Sequence, residues 1–317
     1  MISLKTEFSP MFFQEEGFEL KVSARKKEVW AVELDLLMQL DQVCKANGLK
    51  YFLAYGSVLG AIRHGGIIPW DDDIDVGMLR HDYDKLCQIA DCSFQSPYFF
   101  QTNATDPASA TGHAQLRNSL TTAILKKNLR GGKSINRANQ GIFIDIFVFD
   151  NVPDDENVEK DWLRQLKILK RRTWAERERQ QMFSLVRDRR FSLCRKSEMI
   201  SCLPKSLLEM TLGTNYLVRA CSALDSLAKK YSACDTKYVA PVTFSPAYQR
   251  PVRKLPRKIF EDLECVSFNG FKIPIPRLYE EMLRAGYGDW REHVIGTAAH
   301  GGVLFDADRS YLEYVWR

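Results

Sequence analysis

Apolar positions recur at helical spacing early in the chain. Val29, Trp30, Leu36, Leu37, Leu40 and Val43 fall on one stripe, and Asn47-Gly48 supplies a stop signal, so the pattern predicts a helix over 25–46. The residues before it have no clear period and read as an N-terminal arm, 1–24. Tyr51 to Tyr55 reads as a strand, Gly56-Ser57 as a turn, and Val58 to Arg63 as a short helix. His64-Gly65-Gly66 is a loop, and Pro69 leads into a second strand that carries the acids. A helix is expected from His81 or Asp82 to about Ala90, then short strands at 98–102, 114–117 and 121–126. The strongest strand signal is Gly141 to Phe149, where seven apolar residues surround a single Asp145. A run of that kind is a central, doubly covered strand.

After Asn151-Val152-Pro153 the pattern changes. Residues 156–232 are rich in Leu, Arg, Lys, Gln and Glu and read as several helices, with Pro204 expected to break them. Asn269-Gly270 between two apolar runs is a hairpin signal, and a helix is expected over 279–285. The expected fold is α/β (α+β). A mixed-sheet core spans 25–155, an added helical segment spans 156–240 and caps the active-site cleft, and a hairpin and helix in 241–317 return to the core.

Composition narrows the class. The chain has 317 residues, 45% hydrophobic and 27% charged, which is ordinary for a globular protein. No run approaches the roughly 18 apolar residues of a membrane span, and the N-terminus lacks a basic-then-apolar signal pattern, so a cytoplasmic protein is expected. The eight cysteines are scattered without a Cys-x-x-Cys, which argues for reduced thiols and against zinc. Net charge is only +5, but residues 160–196 hold 13 Lys/Arg against 4 Asp/Glu. That block reads either as solvated helix faces or as a surface drawn to an anionic membrane or acidic glycan. No nucleic-acid-binding motif accompanies it.

The candidate chemistry lies in Pro69-Trp70-Asp71-Asp72-Asp73-Ile74-Asp75-Val76. On an extended strand Asp71, Asp73 and Asp75 share one face. Such a row repels itself unless a cation stands before it, and Mg²⁺ or Mn²⁺ is the natural choice. Magnesium usually shares carboxylates with phosphate oxygens, so a phosphate-bearing substrate is expected too. Gly56-Ser57, ahead of a helix, would let backbone approach that phosphate. Asp145 is either an acid at a sheet end facing water or a further carboxylate that binds metal or takes a proton. Arg63 reads as a phosphate fork or a structural ion pair, and His64 as a loop histidine or a ligand contact. Arg117 is a weaker phosphate or base candidate, and His113 weaker still. Trp70 is expected to pack behind the acids or stack on a base. Tyr51, Tyr55, Trp70, Tyr83, Tyr238, Tyr248, Tyr287 and Trp290 supply aromatic faces for a quaternary ammonium, and sequence does not choose among them.

These motifs resemble the LicD family. The resemblance rests on Gly56-Ser57-Val58-Leu59-Gly60-Ala61-Ile62-Arg63-His64, Pro69 to Asp75, Arg80-His81-Asp82-Tyr83, Gly141 to Phe147 with Asp150-Asn151-Val152-Pro153, and Gly286-Tyr287-Gly288-Asp289-Trp290. It covers most of 25–295 and is weakest over 156–240. It implies a nucleotidyltransferase-like fold and phosphotransferase activity. Bacterial members move phosphocholine from CDP-choline to a sugar of a surface glycan such as lipopolysaccharide, and the related fukutin group moves ribitol phosphate from a CDP-linked donor. Carried over residue by residue, the metal motif falls on Asp71, Asp73, Asp75 and Asp145. Catalytic roles fall on Asp73, Asp75 and Asp145, the phosphate turn on Gly56-Ser57, and the basic pair on Arg63-His64. Ser57 stands where the family more often has Thr, and Val148 where it often has Pro. The implied reaction is metal-dependent attack of a glycan hydroxyl, free or lipid-linked, on the alcohol-bearing phosphorus of a CDP-alcohol, with CMP release. A nucleotidyltransferase passing NMP and a catalytically silent binding member are the alternatives. The implied place of work is the cytoplasm or the inner face of a membrane, with no nucleic-acid partner.

Overall fold

The protein is described by a computed structural model covering residues 4–14, 21–109, 111–187, 196–243, 253–292, 294 and 302–315, with the side chains of 196–202 left aside. Helix α1 spans Ala24–Ala46; the Ser23 hydroxyl caps it by accepting the Lys26 N–H. Strand β1 (Phe52–Leu53) is followed by α2 (Tyr55–His64), β2 (Asp75–Leu79) and α3 (Arg80–Ser93). Next come β3 (Tyr98–Gln101), β4 (Ala114–Asn118), β5 (Thr122–Leu125) and two short strands, β6 (Leu129–Arg130) and β7 (Lys133–Ser134). The apolar run becomes β8 (Ile142–Val152), buried along its whole length. Helices α4 (Glu156–Arg187), α5 (Lys196–Leu212) and α6 (Tyr216–Ala228) follow, then β9 (Tyr238–Ala240) and β10 (Leu255–Pro256). The chain closes with β11 (Leu263–Phe268), β12 (Phe271–Pro276), α7 (Tyr279–Tyr287) and β13 (Val303–Asp306).

The main sheet runs β1-β2-β8-β4-β3, with β9 on the far end of β8 and β10 on β9. β2 and β8 are parallel and the other pairs antiparallel, so the expected mixed α/β core is present. Strand alternation gives this sheet two unlike faces. Val76, Ile146, Ala114, Leu116 and Ile144 share one. Helix α1 covers it, and the Tyr98 hydroxyl donates to Asp35 of α1 at 2.7 Å. The opposite face carries Asp75, Asp145, Gln115 and Gln101 in adjacent register on four neighbouring strands. The first face packs against α1, and on the second the acids lie beside the buried rings of Phe147 and Phe149.

The hairpin forms where expected: Asn269 and Gly270 both take positive φ, 49° and 87°, as a two-residue turn requires. Three expectations need correction. Asp71 to Ile74 precede the strand, which starts only at Asp75, so strand alternation does not align the three acids. Gly56 and Ser57 lie in the first turn of α2 rather than in a turn before it. Pro204 sits inside α5 without ending it; the second half of α5 is pinned to α4 by the 2.6 Å Arg179–Glu209 pair and by Lys205–Glu176. The first part of the helical segment meets the sheet at the end of β8 away from Asp145. There Val152 packs with Trp162, Leu166, Leu224, Ala228, Ala240 and Val242 in a second core. Below it Arg80, buried, donates to Asp150 at 2.6 Å and to Asp225 at 2.9 Å. Among the described residues no helix is long and apolar enough to cross a membrane. Residues 188–195 of the basic block, Cys194 and Tyr248 fall outside the described residues.

Candidate active site

Two chain segments converge on the polar face. Asp75 and Asp145 are direct partners across the parallel β2–β8 pair. The segment before β2 is tied in as well: the Asp145 N–H donates to the Ile74 carbonyl at 2.9 Å, and the Ala54 N–H to the Asp75 carbonyl at 2.9 Å. One carboxylate oxygen from each of Asp73, Asp75 and Asp145 lies within 4.8 Å of the others. Asp71, Asp72 and Asp73 make a second group of the same kind, so Asp73 belongs to both and Asp71 flanks the triad. Burial, reinforced by Asp73, Asp145, Asp71 and Asp72, drives the Asp75 carboxyl well above the usual carboxylate range. Hard oxygen donors crowded at this spacing could hold a divalent cation. Asp145 is buried, so the reading of it as a water-facing sheet end is withdrawn.

The start of α2 borders these acids. Tyr55, its first residue, has φ of +44°, a region that a bulky side chain occupies only when its surroundings enforce it. A Cβ on Gly56 would stand 2.7 Å from Asp71 Oδ2, so only glycine lets that carboxylate lie against the helix start. The Ser57 oxygen accepts the Asp75 N–H at 2.8 Å, which makes Ser57 an anchor for the acidic strand. Its hydroxyl proton can still be donated.

Asp145 is held by a chain of polar side chains. His113 Nε2 lies 3.1 Å from its Oδ1, and Gln115 Nε2 donates to the same oxygen at 2.6 Å. The Gln115 carbonyl oxygen accepts from Arg117 Nη2, while Arg117 Nε donates to Gln101 at 2.5 Å and Nη1 to the Gly141 carbonyl at 2.6 Å. Arg117 is buried, lies over the Phe143 ring, and is pushed down to about 10 by burial, against the pull of Asp145 and Asp106. Its donors are thus turned into the protein. It steadies the site through Gln115 instead of meeting phosphate.

Arg63 and His64 end α2, about 10 Å along the helix axis from Gly56. Arg63 Nη1 reaches the Trp290 carbonyl at 3.4 Å, and the His64 ring meets Trp70 edge-on. The helix therefore points the basic pair away from the Gly56-Ser57 end. Of the aromatic candidates, Tyr51 is core, donating to Asp41, and Tyr238 lies in the second core. Tyr55 and Tyr287 stand beside the acids.

Three contributors were not linked to the acids from sequence. The Tyr287 hydroxyl, from α7, is 4.0 Å from the Cβ position of Gly56, and burial followed by Asp75, Asp71 and Asp73 pushes its pKa up. Glu33 of α1 is buried behind the acidic loop, and burial, then Asp73, Asp72 and Asp71, drives its carboxyl well upward. Gln115 is the third. A charged residue between Trp30 and Leu37 on a buried stripe was a signal for Glu33, and period-two spacing with Arg117 was one for Gln115. Tyr287 stood among the aromatic candidates and in the Gly286–Trp290 motif, but its approach to the acids depends on tertiary folding.

Comparison with known proteins points the same way. Residues 48–187 match the family described as LicD/FKTN/FKRP, nucleotidyltransferase domain. The chain is 24% identical over 271 residues to the lipopolysaccharide cholinephosphotransferase LicD of Haemophilus influenzae, covering 85% of this chain and 92% of that protein. It is 55% identical over 47 residues to the human ribitol 5-phosphate transferase FKRP, but that match spans 15% of this chain and 10% of FKRP. An uncharacterized protein of Rickettsia prowazekii is 43% identical over 54 residues, 17% of this chain and 20% of that protein.

Proposed function

Residues 48–187 of this chain are a LicD-family nucleotidyltransferase domain, and from that premise we propose that the protein is a phosphotransferase acting on a glycan. In this reading it moves phosphocholine or a related alcohol phosphate from a CDP-linked donor to a sugar hydroxyl and releases CMP. The observation that carries the proposal is the convergence of Asp73, Asp75 and Asp145 to within 4.8 Å from two chain segments, beside the start of α2. The names of the Haemophilus and FKRP relatives support phosphoalcohol transfer as the reaction class.

The donor set fits Mg²⁺ or Mn²⁺ held by Asp73, Asp75 and Asp145, with Asp71 at its flank; such an ion would neutralise charge on the donor's phosphates. The protein's own residues do the rest. The free N–H groups at the start of α2 and the Ser57 hydroxyl receive phosphate oxygens. Asp145, kept in one orientation by His113 and Gln115, is placed to accept the proton of the attacking hydroxyl. Tyr55 and Tyr287 offer the aromatic surface that a quaternary ammonium requires.

We also place the enzyme at the cytoplasmic side of an anionic membrane. Arg164, Lys167, Arg171 and Arg172 share the exposed side of α4 with Ile168 and Trp174, a mixture suited to an interface. Sedimentation with phosphatidylglycerol vesicles tests this, and pelleting unchanged after Glu substitution of those four cations would dismiss it.

The central test is incubation of the purified chain with Mg²⁺ and a panel of CDP-alcohols, with and without glycan. CMP release that needs glycan supports the assignment. Pyrophosphate release from a nucleoside triphosphate, with no CMP, would reassign the protein to NMP transfer.

A further inference from the structure

The C-terminal half of α4 and the 135–137 segment border an open cavity of about 210 Å³ whose lining includes none of the acids described above. Its floor includes Ile135, Phe183 and Leu217, and three guanidinium groups line it: Arg137, Arg177 and Arg187. One carboxylate, Glu209, also lines it, but its oxygens are already engaged by Arg179 at 2.6 Å and the Tyr216 N–H at 2.8 Å. The lining residues thus hold three cations and one acid. Two further observations point to a ligand. Among the described residues Arg177, half-buried, makes no ion pair, and its neighbour Glu178 is the acid that acts on it. The side-chain amide nitrogen of Gln181 is buried with no hydrogen-bond partner among the described residues. A buried donor of that kind is costly unless something accepts from it.

We propose that this cavity binds the acid group of an anionic sugar, with Arg177 pairing the oxyanion and the Gln181 amide donating to the same ligand. A guanidinium suits phosphate and carboxylate alike, through paired N–H donors. The volume is below the ~300–1,000 Å³ of pockets for drug-sized ligands, which fits a single ring with its acid group. The apolar floor suits the C–H face of that ring. Regarding the ligand as part of the acceptor glycan rests on the transferase reading above; the binding itself does not.

The test is calorimetric titration of the full chain, in EDTA, with glucose 6-phosphate, glucuronate and neutral glucose. At least one charged sugar binds and glucose does not; the tighter of the two identifies the acid group. R177A and Q181M each weaken that binding by about tenfold or more, while R177A keeps the wild-type melting temperature and Q181M does not lower it. Q181M guards against a folding artefact, because it removes a buried unpartnered donor. Wild-type affinity in both variants, equal binding of glucose, or no binding of either charged sugar would overturn the site. Intact sugar binding without CMP release from any CDP-alcohol would sink the transferase reading alone, and CMP release without sugar binding would sink the pocket alone.

Discussion

Asp75 and Asp145 stand side by side in parallel register, although seventy residues separate them in sequence. A parallel pair puts equivalent side chains on the same face, so the two acids cannot turn away from each other without breaking the strand pairing. With Asp73 within 4.8 Å of both, the sheet holds together a set of like charges that it has no reason to hold for stability. Asp75→Asn is therefore expected to raise the melting temperature of the metal-free protein while removing transferase activity. Mg²⁺ should raise the wild-type melting temperature and leave that of Asp75→Asn nearly unmoved, because an ion stabilises only the state that binds it. Calorimetry with and without EDTA reads both effects.

Gln115 separates two roles that are easily confused. Its amide holds Asp145 and its carbonyl oxygen holds Arg117. Gln115→Leu leaves a buried guanidinium donor and a carboxylate oxygen each short of a partner, costing about 1–3 kcal/mol. Gln115→Glu would add a carboxylate beside Asp145 while keeping the Arg117 contact. If Gln115 only positions Asp145, kcat falls in both variants with KM for the donor little changed. A change confined to KM would contradict that role.

Gly56 tests the approach of helix start and acid. Gly56→Ala puts a methyl where Asp71 Oδ2 already lies, 2.7 Å from the built Cβ. Asp71 must swing away, and a displacement of about 1 Å in a site of this kind costs about a hundredfold in rate. The fold should survive, since the Gly56 backbone is ordinary helix with no positive φ. A Gly56→Ala protein with wild-type kcat/KM would show that Asp71 has no part in the site.

Local patterns revealed much of this architecture, and long-range ones did not. Helix α1, strand β8 and the 269–270 hairpin each follow from a period or a turn pair within a dozen residues. Asp145 drew notice because a charge in an apolar strand must be compensated. The grouping of Asp73 with Asp75 and Asp145 was reached by a wrong route: alternation assumed a strand from 71, whereas Asp73 arrives from irregular chain held by the Ile74 carbonyl. Arg117 was misread because its sequence neighbours give no sign that Gln101, Gly141 and Gln115 surround it. The location of α4 and α6 at the far end of β8 was equally hidden, since helical periodicity says which face is buried and not against what.

The far end of β8 carries a second test, independent of the active site. Lys170 of α4 is 4% exposed, and burial pushes it down to about 8 from 10.5, with Asp150 pulling it the other way. The folded protein gives up this proton before the unfolded chain does. Between pH 8 and 10.5 the unfolded state thus binds more protons, and the Lys170 contribution to stability rises with pH. At pH 7 both states are protonated and the folded state bears the full desolvation cost, about 3 kcal/mol at most for a shift of this size. Asp150, on β8 nearby, is pushed up to about 6, chiefly by burial and against the pull of Arg80. Its contribution has the opposite slope: it is present at low pH and is lost as pH rises from about 4 to 6. Lys170→Met should accordingly raise stability at pH 7 by about 1–3 kcal/mol, and the advantage should shrink toward zero by pH 10.5. Below pH 6 the advantage of the variant should widen somewhat, because protonating Asp150 removes the charge that partly offsets the burial of Lys170 in the wild type alone. Urea unfolding at pH 5, 7, 9 and 10.5 supplies the comparison, and a difference that grows with pH would reverse the assignment of Lys170 as a buried, strained cation.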